Sequence, residues 1–408
     1  MDPLVTDAEL AALRASIEAD LPAYLADLER LVNVDCGSYS PDGVNEVATW
    51  VAAAFTRLGA RVERRPDPGA RYGDTVVATF EGSAGGPNVL LIGHTDTVFP
   101  DGTVAERPFR IEDGKALGPG VSDMKGGLLA GLYAIAALRR LGAGAPGLDG
   151  PGRIVFVANP DEEIGSPSST PHIRAAAAEA DVAFVLEGAR ATGEFVSSRK
   201  GIIDARLIVH GRAAHAGVEP EKGRSAILAG AALVTGIHAL SGRWPGVTAN
   251  VGVFRSGIRP NVVAERAELE IDIRAVTAET LAAAGAALAE LAAVPTLPDV
   301  TAELEVTHTW APMEKLARSG RLVDHAIELA GRIGFVTRDA ATGGASDANT
   351  TSGAGVPTID GLGPVGGWDH APQEYVELDS IVPRTTLVAA LVLAVARDPA
   401  VASWREGG

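Results

Sequence analysis

Residues 153–169 read RIVFVANPDEEIGSPSS. A short apolar run breaks at Pro160 and leads into three successive carboxylates, Asp161, Glu162 and Glu163, with Gly165 and Pro167 close behind. A run this short, ended by turn residues, reads as a buried strand. Three adjacent carboxylates repel one another, and at the mouth of a buried strand only water or cations neutralise them. A solvated acidic turn is the plainest explanation. What the chain places at its other strand ends decides the matter.

Working outward, the same kind of run recurs as TVVATF (75–80), NVLLIGH (88–94) and VAFVLEG (182–188). Helical stretches fall at about 7–33, in VNEVATWVAAAFTRLG (44–59), and at about 124–141 and 170–179. Apolar strands alternating with helices predict an α/β sheet covered on both faces. In such sheets function gathers beyond the carboxyl ends of the strands. The pattern changes near Ser197. GIIDARLIVHG (201–211), SAILAGAALVTGIHAL (225–240), TANVGVFRSG (248–257), AERAELEIDIRAV (264–276), AETLAAAGAALAELAAV (278–294) and TAELEVTHTW (301–310) follow in the order β-α-β-β-α-β, that of a ferredoxin-like unit. GRLVDHAIELAGRIG (320–334) and VPTID (356–360) then resume helix and strand. The expected fold is α/β: a mixed-sheet domain of residues 1–198 and 309–408 with an inserted ferredoxin-like α+β domain, 199–308.

A chain of 408 residues exceeds the usual size of a single core, in keeping with two domains. The net charge of −17 disfavours a nucleic-acid backbone or an anionic membrane as partner. LVAALVLAVA (387–396) is too short to span a bilayer and reads as a buried helix face. The acidic start MDPLVTDAELAAL lacks the pattern of a secretory signal, and the single cysteine, Cys36, excludes an internal disulfide, so a cytoplasmic location is expected.

The strand ends supply company for the acidic turn. NVLLIGHTDTV brings His94 and Asp96, two apart and so on one face of a strand, a spacing suited to a metal-binding imidazole held by a carboxylate. GPGVSDMKGG puts Asp123 in a Gly-rich turn before a helix, where an N-cap is its competing role. VAFVLEG ends in Glu187, and GLGPVGGWDHAPQEY carries His370. Each is weak alone; together they form a set whose charge two divalent ions would balance.

The series GHTDTV, GPGVSDMKGG, NPDEEIGS, VLEGA and GGWDHAPQEY resembles the M20 family of dinuclear zinc peptidases, nearest its glutamate carboxypeptidase (carboxypeptidase G2-like) branch. The resemblance covers nearly the whole chain. It implies two Zn2+ per chain, with Mn2+ or Co2+ able to occupy the same donors. His94 and Glu187 would bind one ion, Glu163 and His370 the other, and Asp123 both. Asp96 would orient His94, Glu162 would be general base and acid, and the peptide bond after Asp123 would be cis. Asp161 is left as a turn or supporting group. The inserted domain would be a lid and dimerisation domain. In GRAAHAG, His215 matches a histidine that reaches the partner subunit's site in a homodimer. Arg274 in IDIRAV and Asn261 in IRPNVV match positions that hold a substrate carboxylate, with Lys200 in SSRKG a further candidate. TGGASDA, with Gly344 and Ser346, resembles a loop lining the substrate site.

Two other motifs mislead. GLGPVG (361–366) satisfies G-x-G-x-x-G but contains Pro and runs into GWDHAP instead of a helix. GASDA (344–348) lacks the strand that a nucleophile elbow needs. The expected activity is metal-dependent hydrolysis of an amide or peptide bond beside a free carboxylate, by hydroxide generated at the metals with Glu162 as base. The substrate would be a small carboxylate-bearing peptide or N-acyl amino acid, glutamate being suggested by the resemblance alone. An N-acyl-amino-acid deacylase, a dipeptidase and a detoxifying amidase would have the same metal ligands, and a biosynthetic, amide-forming acyltransferase is the alternative from another class.

Overall fold

In the computed structural model, which describes residues 3–142, 150–294, 297–402 and 404, the first helix, α1 (Asp7–Val32), opens with a capping box between Thr6 and Glu9. Helix α2 (Pro41–Arg57) starts on a proline, which lacks the N–H that a first turn leaves unpaired. Strands β1 (Arg61–Arg65), β2 (Thr75–Glu81) and β3 (Asn88–His94), helix α3 (Gly126–Leu141), strand β4 (Arg153–Asn159), helix α4 (Thr170–Ala177) and strand β5 (Val182–Val185) follow. The chain then builds a second compact unit, Ser198–Glu314 with Thr342–Ala345. That unit holds β6 (Gly201–His210), α5 (Ala226–His238), β7 (Thr248–Ser256), β8 (Arg266–Ala275), α6 (Ala278–Ala293) and β9 (Thr301–Trp310). It returns to the first unit with α7 (Ala317–Ile333), α8 (Asp347–Gly353), β10 (Thr358–Ile359) and α9 (Leu378–Arg397).

The sheet of the first unit has the order β1-β2-β4-β3-β5-β10. The pairs β1/β2 and β2/β4 are antiparallel, and the other three are parallel, so the sheet is mixed. Strand β3 lies at its centre with Val89, Leu90, Leu91 and Ile92 at most 1% exposed. A strand buried on both faces must be apolar at every position, which is why its sequence shows no alternation. Strand β1 (RVERR) was not expected from sequence. It pairs on one side only and keeps its charged groups in water, so it lacks an apolar signal.

Phe55 of α2 packs on Phe156 and Phe80 of the sheet, with ring centroids 4.7 and 6.1 Å away. On the same face α3 is buried almost throughout, with Gly131 against the Phe156 ring and Arg139 over that of Phe80. A Cβ on Gly127 would lie 1.7 Å from the carbonyl oxygen of Leu186, so only glycine lets the helix approach the end of β5 this closely. The segments Val121–Leu141 and Leu378–Arg397 are long and apolar enough to cross a membrane, but 94% and 83% of their apolar windows are buried within the protein.

The second unit has its own core, with Leu207, Val209, Leu233, Leu269, Ile271 and Leu288 nearly or fully buried. Its four strands are antiparallel in the order β7-β8-β6-β9, which makes the first strand of the unit central and gives the ferredoxin-like arrangement. Ser225 and Thr277 cap α5 and α6 by accepting backbone N–H bonds.

Candidate metal centre

Parallel pairing aligns the carboxyl ends of three strands. His94 of β3 stands opposite Asn159 of β4, and Ile92 stands opposite Val185 of β5. The segments that follow, 95–97, 160–163 and 186–188, therefore leave the sheet side by side.

His94 is 1% exposed. Its Nδ1 lies 3.1 Å from the backbone oxygen of Asp96 and 3.2 Å from Asp96 Oδ1. Its Nε2 lies 2.9 Å from Asp123 Oδ1 and 3.8 Å from Glu187 Oε1. The other oxygen of Asp123 is 3.1 Å from His370 Nε2, which is also 3.1 Å from Glu163 Oε2. Asp123 thus stands between two imidazoles. The second oxygen of Glu163, Oε1, is buried with no hydrogen-bond partner among the described residues. Glu162 offers an oxygen within 4.8 Å of donor atoms of both His94 and Glu187, and Asp123 and Glu163 make a second such group with His94.

The backbone holds these groups in place. Asp96, fully buried, accepts the Ser38 hydroxyl at 2.6 Å and the N–H groups of Glu162 and Glu163, both at 3.2 Å. It therefore ties the His94 strand to the acidic turn. Asp161, also fully buried, accepts the Ser169 hydroxyl and the Ser168 N–H, both at 2.5 Å. It closes the turn and faces away from its two neighbours' role. Asp123 does not cap α3, whose first turn has no side-chain cap, and the Asp123–Met124 peptide bond is cis.

The electrostatics follow from burial. Desolvation, then the Glu187 charge, drives the Glu162 carboxyl well above the ordinary range, and desolvation with the Asp123 charge pushes Glu163 to about 7. Burial opposes charge on His94, yet hydrogen bonds to Asp123 and Asp96 hold its pKa well above the usual value. Hydrogen bonds to Asp123 and Glu163 raise His370 to about 11. Asp123 resists desolvation and is pulled low by the two histidines. Carboxylates crowded this way, with one buried oxygen unpaired, are a donor set that fits divalent cations.

Two acidic groups of this region were missed from sequence. Glu374 is 1% exposed and accepts the backbone N–H groups of Gly120, Ser122 and Asp123 at 2.9, 2.8 and 3.0 Å. Asp347, likewise 1% exposed, accepts the Ser166 hydroxyl at 2.6 Å. Neither belongs to a spacing pattern, and their partners lie more than 180 residues away in sequence.

The remaining expected residues make contacts of their own. Ser346 spends its hydroxyl on Asp360 at 2.6 Å and on the Ala348 N–H at 3.1 Å, capping α8. In the second unit, His215 is exposed and its Nδ1 accepts the Gly217 N–H at 3.1 Å. The Asn261 carbonyl meets the Ala216 N–H at 3.0 Å, so the two segments are neighbours. Arg274 pairs with Asp272 and donates to the Gly343 oxygen at 2.8 Å, while the Gly344 oxygen accepts from Arg199 at 3.2 Å. The Lys200 N–H donates to the Thr342 oxygen at 3.2 Å.

The profile described as peptidase family M20/M25/M40 matches residues 90–394, from β3 into α9. Carboxypeptidase G2 of Pseudomonas sp. (strain RS-16) is 32% identical over 378 residues, covering 91% of this chain and 89% of that protein. An acetylornithine deacetylase of Edwardsiella ictaluri (strain 93-146) is 26% identical over 92% of this chain and 98% of its own length. Among solved structures, a tripeptidase from Staphylococcus aureus superposes with a TM-score of 0.76 at 22% identity, covering 93% of this chain and 99% of that one. The M20 metallo-carboxypeptidase Sso-CP2 from Sulfolobus solfataricus gives 0.70 at 17% identity, covering 91% and 98%. The chain is a hydrolase and belongs to peptidase family M20/M25/M40.

Proposed function

We propose that this hydrolase cleaves an amide or peptide bond next to a free carboxylate, releasing a C-terminal amino acid from a peptidyl or N-acyl substrate. The observation that carries the reading is the cluster of carboxylates and imidazoles beyond the ends of β3, β4 and β5, enclosed except at the exposed His370, with Glu163 Oε1 unpaired among the described residues. His94 and Glu187 would hold one zinc ion, Glu163 and His370 a second, and Asp123 would serve both. Such ions, when bound, polarise a carbonyl and make water acidic near neutrality. Asp96 keeps the His94 ring in one orientation and fixes the turn that presents Glu162. Glu162 takes a proton from the attacking water and returns it to the leaving amine.

The second unit is proposed as a lid and dimerisation domain. His215 would stabilise the developing oxyanion in a partner subunit's site. Arg274 and Asn261 would take the substrate carboxylate, Arg274 exchanging its Asp272 partner for the ligand. Lys200 and Gly344 would flank that end, with Ser346 fixing the loop. A reducing compartment suits the lone, buried Cys36.

Carboxypeptidase G2 and acetylornithine deacetylase among the relatives define the substrates to try: N-acyl and peptidyl glutamates, N-acetyl amino acids and simple dipeptides. The test is metal content by elemental analysis, with hydrolysis of this panel before and after chelation. Two ions per chain and chelator-sensitive release of an amino acid are expected. A metal-free protein that stays metal-free on incubation with Zn2+ would overturn the reading.

A further inference from the structure

His370 and Asp123 come from segments about 250 residues apart, yet their side chains meet at 3.1 Å. Antiparallel pairing of Tyr375–Glu377 with Lys115–Leu117 brings the two segments together. That ladder ends at Tyr375 and Leu117, before either loop reaches the centre. Beyond it lies the turn Gly120–Asp123, entered by Gly120 at φ 73° and carrying three N–H groups that donate to a side chain instead of a helix or sheet carbonyl. Buried N–H groups require acceptors. A single side chain supplies all three bonds: Glu374 Oε1 accepts from Ser122 and Asp123, and Oε2 accepts from Gly120. Glu374 is itself four residues beyond His370 on the same loop, joined back to it by its own N–H to the Ala371 oxygen at 3.1 Å.

We propose that Glu374 is a positioning residue for the metal centre: by clamping the Gly120–Asp123 backbone to the His370 loop, it fixes the Asp123 carboxylate between His94 and His370. A carboxylate is the side chain suited to this, because both of its oxygens accept and neither donates. Glutamine would set an amide N–H against one of the backbone N–H groups. The inference rests on the reading of the cluster as a metal site, and Glu374 touches neither substrate nor ion in it.

The test is Zn2+ affinity by competition with a chromophoric chelator, and kcat and KM on whichever panel substrate is cleaved, for the full-length parent, Glu374→Gln, Glu374→Asp and Asp398→Asn. Asp398 is an equally buried carboxylate, held by Arg321 and His325 elsewhere in the first unit, and its variant reports general loss of stability. Glu374→Gln is expected to weaken Zn2+ binding about 10–100-fold, the usual effect of losing a group that orients a ligand, and to lower kcat with KM within about twofold of the parent. Glu374→Asp should recover part of the affinity, and Asp398→Asn should leave it within about twofold. Parental affinity in Glu374→Gln, or equal weakening in Asp398→Asn, overturns the proposal. If Glu374→Gln does not fold, Glu374→Asp decides: parental affinity overturns the clamp, and weaker binding with an intact fold supports it. A parent that takes up no metal defeats the metal-site reading, and this inference with it, before any variant is compared.

Discussion

Replacing Glu162 with Gln keeps the size and shape of the side chain and removes its capacity to accept a proton. A general base typically contributes 10²–10⁴ in rate, so kcat should fall by that factor, about 3–5 kcal/mol in activation free energy. The metal-free fold should lose no stability. Glu162 lies within 4.8 Å of both Glu187 and His94. At that separation and an effective dielectric of about 20, a unit charge pair is worth on the order of 3 kcal/mol. The variant sheds a repulsion of that size from Glu187 and an attraction of similar size to His94. Burial and the further charges of Asp347 and Glu163 tip this balance against the ionised carboxyl, so the metal-free variant should unfold no more readily than the parent at pH 7. The assay is amino-acid release under saturating Zn2+, with elemental analysis and urea unfolding on the same samples. Full metal content with kcat within tenfold of the parent would refute the assignment of Glu162 as base. Loss of an ion would make Glu162 a ligand, a role its closeness to His94 and Glu187 permits.

Glu9 is held down to about 2 by hydrogen bonds from Arg397, which outweigh burial, with Thr6 assisting. A depressed carboxyl stabilises the fold above its unfolded pKa and loses that contribution as pH falls from about 4.5 toward about 2. Discounted for partial exposure, Glu9→Gln should cost about 1–2 kcal/mol at pH 7 and progressively less toward pH 3 in urea unfolding; a cost independent of pH would contradict the ion pair. Gly127→Ala should destabilise by about 2–3 kcal/mol, because its Cβ would strike the Leu186 carbonyl. Gly320→Ala, open to space within α7, should stabilise by about 0.4–1 kcal/mol; equal unfolding midpoints for these two variants would refute the packing account. Mixing a His215→Ala chain with a Glu162→Gln chain should restore activity in one site of the mixed dimer, and no recovery would count against a contribution across subunits.

The apolar runs of β3, β4 and β5 were readable because a strand buried on both faces must be apolar at every position. Strand β1 was not, since an edge strand of charged residues resembles a loop. His94 and Asp96 were legible because the two-residue period of a strand fixes which side chains share a face. Glu374 was invisible for the opposite reason: its meaning lies in three N–H groups some 250 residues upstream, and no local spacing encodes them. Ser346 sits in a glycine-rich stretch that reads as a substrate loop, while its hydroxyl serves as a helix cap. Capping and loop signals draw on the same small polar residues, so sequence alone does not separate them.

What the sequence by itself determined was the identity of the acidic and imidazole groups and their places at strand ends, because chain periodicity and turn chemistry are local. The tertiary structure decided which of three adjacent carboxylates closes the turn and which two face the histidines. Asp161 is taken up by Ser168 and Ser169, whereas Asp96 grips the N–H groups of Glu162 and Glu163 and so orients them. It also decided that Asp123 stands between His94 and His370. Those choices depend on sheet order and on packing between distant segments, where burial forces each polar group to find a partner wherever the fold supplies one.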